Sequence, residues 1–189
     1  MKKSYPIKIG LISGSTRKAS INQKMTKAIA HVFKDLGAKP VIIDLGKYDM
    51  PIYNGDYEDE HGVPKATKNL VQRIKFCDGI FIATPEYNGC LPALLKNAID
   101  WTTRTGLSQF TEPVYGIGAC VPGGLSGIMA LRQLNFILAR LGAVVVPTQV
   151  GLPFAGQIFD EQGQLNEGRA RDFSYKMAEQ MLAEIKRRK

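Results

Sequence analysis

The sequence predicts a single α/β domain, spanning residues 1–189, in which helices cover both faces of a five-stranded parallel sheet. Short β-branched apolar runs alternate with longer segments in which apolar residues recur every three or four positions, as in a parallel sheet with crossover helices. The predicted strand 79–84 is apolar up to its last residue, which is typical of a strand covered on both faces. No internal repeat, low-complexity tract or composition shift divides the chain, so one three-layer domain is expected.

The predicted strands are 7–13, 40–45, 79–84, 114–121 and 143–146. The first helix places one apolar stripe against the sheet and ends at Gly37; the stripe is Ile21, Met25, Ile29, Val32, Phe33 and Leu36. Pro64 begins the second helix, which ends near Phe76, and Pro92 begins the third. Helical spacing predicts the buried residues of the later helices. In the third helix they are Leu94, Leu95, Ala98 and Ile99; in the fourth, Ile128, Leu131, Leu134, Leu138 and Leu141; and in the last, Phe173, Met177, Met181, Leu182 and Ile185. The polar stretch 46–63 has no predicted element, and a loop of this length is usually functional or mobile.

The net charge of +8 and the pI near 9.4 raise the question of a nucleic-acid partner. Six of the positive charges, however, lie in the two tails: Lys2, Lys3, Lys186, Arg187, Arg188 and Lys189. No recognised binding motif appears, so no nucleic-acid partner is expected, although a basic protein attracts anionic ligands. No apolar run approaches the roughly 20 residues that cross a bilayer, and no signal sequence is evident. A cytoplasmic protein without a membrane partner is therefore expected.

The three cysteines, Cys77, Cys90 and Cys120, are far apart and form no CxxC pair. This spacing predicts neither a disulfide framework nor a metal site, and the acidic stretch 56–60 is interpreted as a solvated loop. Cys90 is either a redox-active thiol or a buried, unreactive one.

The loop between the first strand and the first helix has the composition of a phosphate-binding loop. Backbone N–H groups at the start of a helix suit an anion. Ser15, Thr16 and Ser20 add hydroxyl donors, and Arg17 adds a guanidinium that can donate two hydrogen bonds. The alternative is a helix cap in which Ser20 pairs with Gln23, although this would leave Arg17 unused.

The glycine pattern separates the possible cofactors. Neither the dinucleotide fingerprint G-x-G-x-x-G nor the triphosphate loop G-x-x-x-x-G-K-[ST] is present. A single phosphate held by serine, threonine and arginine favours a mononucleotide.

A second loop, 84–92, follows the central strand and contains two prolines and a glycine. It presents backbone groups and one aromatic residue to a planar heterocycle, or it is simply a strand–helix connection.

Three motifs together resemble the NADPH-dependent FMN reductase family, which includes bacterial chromate and quinone reductases and azoreductases. The motifs are Gly14-Ser15-x-Arg17-x-x-Ser20-x-Asn22, Thr84-Pro85-Glu86-Tyr87-Asn88 and Lys96-Asn97-Ala98-Ile99-Asp100-Trp101. The resemblance covers nearly the whole chain and implies a flavodoxin-like αβα sandwich with strand order 2-1-3-4-5.

The resemblance also implies the roles of particular residues. The FMN phosphate would be held by Ser15, Arg17, Ser20, Ile21 and Asn22. The isoalloxazine would border Pro85, Glu86, Tyr87 and Asn88, largely through backbone atoms. In a third loop, Gly123 and Gly124 fit the family, whereas residues 119–122 differ from its usual serine-containing stretch. Backbone N–H groups from 121–124 are expected near the flavin pyrimidine.

The activity implied is an FMN-dependent NAD(P)H oxidoreductase in which the bound FMN carries the chemistry and no side chain is catalytic. NADPH or NADH would reduce the flavin. A small acceptor (a quinone, free flavin, azo compound, chromate or other metal ion) would then use the same site in a ping-pong scheme. A homodimer or homotetramer is implied, with Trp101, Arg104 and the loop 53–60 as candidate interface residues. The alternatives are a non-catalytic flavodoxin-type electron carrier and a binding module that has lost the flavin; the basic charge and Arg17 favour the enzyme.

Overall fold

The computed structural model describes residues 6–189, so Lys2 and Lys3 of the basic tail lie outside the described residues. The sheet is parallel and runs in the order β2-β1-β3-β4-β5, which confirms the predicted topology. Its four main strands are β1 (Lys8–Ser13), β2 (Lys39–Ile43), β3 (Gly79–Ala83) and β4 (Val114–Cys120). Every residue of β3 and β4 is buried, and for β3 this confirms the prediction from its apolar sequence.

The fifth position of the sheet is occupied by two short strands instead of the predicted strand 143–146. β5 (Val144–Val145) pairs with the start of β4, and β6 (Val150–Leu152) pairs with its end. Pro147, which has no N–H to donate, lies between them and interrupts the ladder. The prediction missed β6 because its three residues include a glycine and form no apolar run.

The long helices correspond to the predicted ones. They are α1 (Ile21–Asp35), α3 (Lys65–Lys75), α4 (Ala93–Thr103), α6 (Ile128–Arg140) and α7 (Arg169–Arg188). Two short helices, α2 (Gly55–His61) and α5 (Ser108–Thr111), and a 3-10 turn (Leu45–Lys47) were not predicted. Over residues 6–189, no helix combines the length and the apolar character that crossing a membrane requires.

Two hydrophobic cores, one on each face of the sheet, make the three layers. One core packs α1 and α7 against residues such as Leu11 and Phe81, and the other packs α3, α4 and α6 against residues such as Ile12 and Ile82. Most of the predicted core residues are buried. Ile128 and Phe173 are exposed, by 43% and 39%, and four others are only partly buried: Ile21, Leu36, Leu94 and Leu141.

The stretch 46–63, interpreted from sequence as a loop, is ordered against α4. Trp101 Nε1 and Asn97 Nδ2 both donate hydrogen bonds to the carbonyl of Pro51, at 2.7 and 2.9 Å, and the Tyr53 N–H donates to Asn97 Oδ1. The ring of Tyr53 meets the buried indole of Trp101 edge-on, at 5.1 Å between centroids. The Asn97 and Trp101 side chains of the third motif therefore hold this segment in place.

Two residues proposed for a subunit interface have other roles. Trp101 is fully buried within its own chain, so it is not available to a second subunit. Arg104 Nε bonds both carboxylate oxygens of Glu58, at 2.9 and 2.8 Å, and this contact lowers the pKa of Glu58. Both residues thus stabilise the segment that contains α2.

Candidate functional site

An open cleft of about 140 Å³ lies at the carboxyl ends of β1, β3 and β4. This is the edge at which open parallel sheets bind ligands. Eight of the eleven predicted site residues line the cleft: Ser15, Arg17, Ser20, Ile21, Asn22, Pro85, Glu86 and Tyr87. Asn88, Gly123 and Gly124 lie outside this lining, and Cys120, Val121 and Pro122 form its third wall. The fold thus brings together the two loops that were singled out from sequence.

The first loop is held by its own hydroxyl and amide groups. Ser13 Oγ accepts from the Ser15 N–H at 3.2 Å and donates to the Ser15 carbonyl at 3.1 Å. Gln23 Nε2 also donates to the Ser15 carbonyl, at 3.0 Å. Ser20 caps α1 by accepting from the Gln23 N–H, so half of the expected capping box forms and the Gln23 amide turns to Ser15 instead.

The first turn of α1 leaves donors available. The N–H groups of Ile21 and Asn22 have no acceptor among the described residues, as is normal at a helix N-terminus. Arg17 is exposed and makes one long contact, 3.4 Å from Nη2 to the Ala19 carbonyl; it forms no ion pair within residues 6–189. Two free N–H groups and an uncompensated guanidinium at the cleft can bind a phosphate.

The side chain of Asn22 has a different position from the one the phosphate interpretation gave it. It is buried, and its Nδ2 donates to the Cys120 carbonyl at 2.9 Å while its Oδ1 accepts from the Cys120 N–H at 3.0 Å. These bonds join the start of α1 to the end of β4, across 98 residues of sequence. Of the Asn22 groups, only the backbone N–H lacks an acceptor among the residues that the structure covers.

A close approach of α1 to the sheet makes this contact possible. A side-chain carbon at Gly118 would collide with Met25 and Phe81 and would lie 3.0 Å from the Val150 carbonyl. Glycine at this position of β4 therefore lets α1 pack closely, which brings Asn22 within reach of Cys120.

The second loop contains a tight turn. The N–H and carbonyl groups of Tyr87 and Cys90 bond each other reciprocally, at 2.9 and 3.0 Å. Between them, Asn88 and Gly89 both have positive φ, 52° and 73°, as a type I′ turn requires. The turn leaves the ring of Tyr87 half-exposed at the rim of the cleft.

Two side chains fix this second loop to α6. Glu86 Oε2 accepts from the N–H groups of Met129 and Ala130, at 2.9 and 3.1 Å. It thereby caps α6, whose own N-cap residue, Gly127, has no side chain. One turn further along, Gln133 donates to the Gly89 carbonyl at 3.2 Å. Gln133 was not predicted from the sequence, since its partners are more than 40 residues away and no local signal identifies it.

The third loop supplies fewer donors than expected. The Val121 N–H already bonds the Leu152 carbonyl at 3.0 Å, and Pro122 has no N–H. Within 121–124, only the N–H groups of Gly123 and Gly124 lack an acceptor in the described part of the chain. The expectation of donors throughout 121–124 was thus wrong for its first half, because β6 uses the Val121 N–H.

The cysteines near the cleft differ in environment. Burial raises the pKa of the Cys120 thiol to about 12, so Cys120 contributes to the cleft wall and is a poor nucleophile near neutral pH. Cys90 is exposed and bonds Gln133 Oε1 through its thiol at 2.7 Å, so its interpretation as a buried thiol was wrong. In the described part of the chain, no group of three or more potential ligands is placed to hold a metal ion.

The sequence model described as NADPH-dependent FMN reductase matches residues 7–157. The chain belongs to the NADPH-dependent FMN reductase family. It is 31% identical over 164 residues to a quinone reductase of Pseudomonas putida, covering 84% of both chains. It is 32% identical over 146 residues to an NADPH azoreductase of a Bacillus species, covering 77% of this chain and 76% of that one. The chain has the same fold as the solved structure of FerB, a flavoenzyme NAD(P)H:(acceptor) oxidoreductase from Paracoccus denitrificans. The TM-score is 0.81 and the sequence identity is 24%, and the match covers 96% of this chain and 98% of that one.

Membership of the FMN reductase family decides between the alternatives left by the sequence. The protein is an NAD(P)H-dependent oxidoreductase with FMN as its cofactor, and neither an electron carrier nor a module without flavin. The groups at the cleft fit this cofactor, since a phosphate monoester needs the donors that α1 and Arg17 leave free.

Proposed function

We propose that the protein binds FMN in the cleft described above and uses it to reduce small planar acceptors, foremost quinones and azo compounds. The observation that carries this proposal is the convergence of three loops on one cleft, with free donors at one end and a half-exposed aromatic ring at the other. Quinone reductases and an azoreductase among the relatives support the choice of acceptors.

The FMN phosphate is assigned to the end of the cleft formed by 15–22. There the N–H groups of Ile21 and Asn22, the partial positive charge of α1 and the Arg17 guanidinium all favour an anion. Ser15 and Ser20 are buried residues of the cleft lining, and their hydroxyl oxygens accept from the Arg17 and Gln23 N–H groups. The donor set contains no carboxylate that would repel a phosphate.

The flavin ring system is assigned to the other end, between 85–88 and the third loop. The N–H groups of Gly123 and Gly124 follow the third wall of the cleft and have no acceptor among residues 6–189, and we assign them to the negative charge of the pyrimidine edge. Pro85 and Tyr87 line the cleft, and the turn at Asn88 holds Tyr87 at its rim. Glu86 contributes by attaching the loop to α6, so its role is to position the loop.

When bound, FMN supplies two-electron transfer between NAD(P)H and the acceptor. The acceptor gains two electrons and two protons; a quinone becomes a hydroquinone. No side chain in the cleft is required as a nucleophile, and the protein contributes orientation and fixed dipoles. Chromate, other metal ions and free flavin remain acceptors predicted from the family resemblance.

Because the flavin ring is assigned to one open cleft, we expect the donor and the acceptor to use the same site in turn. Initial rates measured over a grid of NADPH and 1,4-benzoquinone concentrations should give parallel double-reciprocal lines. Intersecting lines would indicate that both substrates bind at once and would refute the shared site.

The proposal includes a homodimer, or a homotetramer built from dimers. The surface next to the cleft exposes large apolar side chains on and before α6, with Leu125 77% and Phe136 71% exposed and Met129 also exposed. Such side chains are expected at a contact between subunits. Light scattering coupled to size exclusion should give twice or four times the chain mass of 20.8 kDa, and Phe136→Glu should shift the protein toward the monomer. A wild-type protein that elutes as a monomer at micromolar concentration would contradict this part of the proposal.

A further inference from the structure

The edge groove is a second cavity, of about 430 Å³, at the side of the sheet where β6 is the last strand. Residues 149–153 form its floor, the first turn of α7 forms one wall and Ser126 lies at the other. None of these residues lines the FMN cleft. A volume of this size is ordinary for a binding site, and it suits a small molecule or the last residues of a peptide.

β6 presents unpaired backbone groups to the edge groove. The Leu152 carbonyl accepts from the Val121 N–H at 3.0 Å, so the backbone groups of Leu152 face β4. Because these groups alternate in direction along a strand, the N–H and carbonyl of Gly151 face the opposite side, where no strand follows β6 within residues 6–189. Neither group of Gly151 has a hydrogen-bond partner in the described part of the chain. A strand edge of this kind is a template for pairing with another extended chain.

The wall that α7 contributes has an apolar surface. Ala170 and Phe173 line the edge groove, and Phe173 is exposed although its helical position predicts burial. The side chains of Val150 and Leu152 project into the core that α7 covers. On a strand added beside β6, the side chain next to Leu152 would project to the same side and meet Phe173. The edge groove therefore favours an apolar side chain at that position.

Hydrogen-bond donors are free at the carboxyl end of the edge groove. α7 runs opposite to the strands, since Ile185 near its end lies against Gly79 at the start of β3. The first turn of α7 is therefore next to Pro153, which follows β6. The N–H groups of residues 169–171 have no acceptor among the described residues, and the N-cap Gly168 has no side chain to supply one. These donors favour an anion at this end of the groove.

Arg169 adds a positive charge at the same end. It is exposed, it forms no ion pair within residues 6–189, and its guanidinium carbon lies 5.3 Å from the centroid of the Phe173 ring. The described residues that line the groove include no carboxylate. The acidic residues close to Arg169 in sequence lie outside the lining: Asp172, and Glu167, which is 3.6 Å from Arg171. Charge complementarity therefore favours a ligand that carries a carboxylate.

We propose that the edge groove binds the carboxyl terminus of a partner protein as an added strand. The peptide runs parallel to β6, because its carboxylate meets Arg169 at the carboxyl end of the groove. Its last residue donates its N–H to the Gly151 carbonyl and places an apolar side chain against Phe173, and the carbonyl two residues earlier accepts from the Gly151 N–H. The carboxyl end of this chain is not the occupant, since Lys189 lies at the far end of α7, 2.9 Å from Asp78, and the basic residues before it would be repelled by Arg169.

The test is fluorescence anisotropy with the FMN-saturated protein and the hexapeptide Gly-Ser-Thr-Val-Thr-Leu, which carries tetramethylrhodamine at its amino end. The measurement needs no turnover, so its outcome is independent of the proposed reaction. The peptide with a free carboxylate should bind about tenfold more tightly than the same peptide with a carboxyl-terminal amide, because the amide loses the charge-assisted hydrogen bonds. A peptide methylated on its last backbone nitrogen cannot donate to the Gly151 carbonyl and should also bind about tenfold more weakly.

Two variants of the protein test the assignment of the carboxylate. Arg169→Ala should remove most of the difference between the acid and the amide peptide. Lys176→Ala is the matched control: it removes an exposed lysine of α7 outside the groove lining and should preserve the difference. Both positions are exposed, so both variants should give the circular dichroism spectrum of the wild-type protein.

Four results would overturn the proposal. Equal binding of the acid and the amide peptide would refute capture of the carboxylate, as would an unchanged difference between them in Arg169→Ala. Full affinity for the methylated peptide would refute pairing with Gly151. No binding of the acid peptide at about 300 µM protein would exclude the edge groove as a peptide site, and this is also the result expected if a second copy of the chain covers β6.

Discussion

Replacing Asn22 with alanine separates a structural role for its side chain from a role in binding phosphate. The substitution removes two buried hydrogen bonds, of 2.9 and 3.0 Å, that join α1 to Cys120 at the end of β4. Each such bond contributes about 1 kcal/mol net, and the buried Cys120 groups that lose a partner add a further penalty. We expect the free energy of unfolding to fall by about 2–4 kcal/mol. For a chain of this size the melting temperature should fall by roughly 5–15 °C.

The assay is thermal unfolding of the apoprotein, followed by circular dichroism. Removing FMN is essential, because a bound ligand would stabilise the folded state and hide the intrinsic effect. Asn69→Ala is the matched control: Asn69 is exposed on α3, and its side chain makes no hydrogen bond to the described residues. This control should unfold within about 0.5 kcal/mol of the wild-type protein.

The FMN affinity of the same variant completes the experiment. If Asn22→Ala left the apoprotein as stable as the wild type but lost FMN affinity, its side chain would be a phosphate ligand and the structural role would be refuted. A drop in apoprotein stability, with any loss of FMN affinity following from it, supports the role seen in the structure.

Three further predictions concern the same cleft. Arg17→Ala should weaken FMN binding, measured by fluorescence titration, by about 1.5–3 kcal/mol, the usual contribution of a charge-assisted hydrogen bond. The control Lys18→Ala removes the neighbouring charge and should have a much smaller effect on FMN binding. Glu86→Ala removes the cap of α6, so it should lower the free energy of unfolding by about 1 kcal/mol and weaken FMN binding. Glu86→Gln keeps an acceptor oxygen and should retain most of the stability and most of the FMN affinity. At pH 8, Ellman's reagent should modify one thiol per chain quickly, that of the exposed Cys90. The other two thiols are protonated there, because burial raises their pKa values to about 11 and about 12; three equally fast thiols would contradict this.

The sequence predicted the main strands, the long helices and the two loops that meet at the cleft because these depend on local signals. Apolar periodicity identifies a buried strand such as Gly79–Ala83, and a loop composition such as that around Arg17 indicates anion binding. The third strand and the first helix were therefore predicted nearly to the residue. The family resemblance added the strand order and the flavin, which no single segment specifies.

The contacts that shape the site join distant parts of the chain. Asn22 meets Cys120 across 98 residues, and Glu86 reaches Met129 across 43. No pattern in a short stretch of sequence indicates that an asparagine in the first turn of a helix bonds a distant strand. Nor does any such pattern indicate that a glutamate caps a helix far along the chain. The helix Gly55–His61 was missed for a related reason: it has no buried residue, so apolar periodicity does not mark it, and contacts with Trp101 stabilise it from outside.

Trp101 is the only tryptophan in the sequence, and it lies beneath the segment that contains α2. The protein thus carries its own optical reporter at that position. Indole emission is quenched or shifted when polar neighbours and water change, so detachment of residues 51–57 would shift the spectrum toward longer wavelength without any label. Energy transfer from this indole to a bound flavin would quench its emission as well, so one fluorescence trace could follow the docking of the segment and the loading of the cofactor on the same sample.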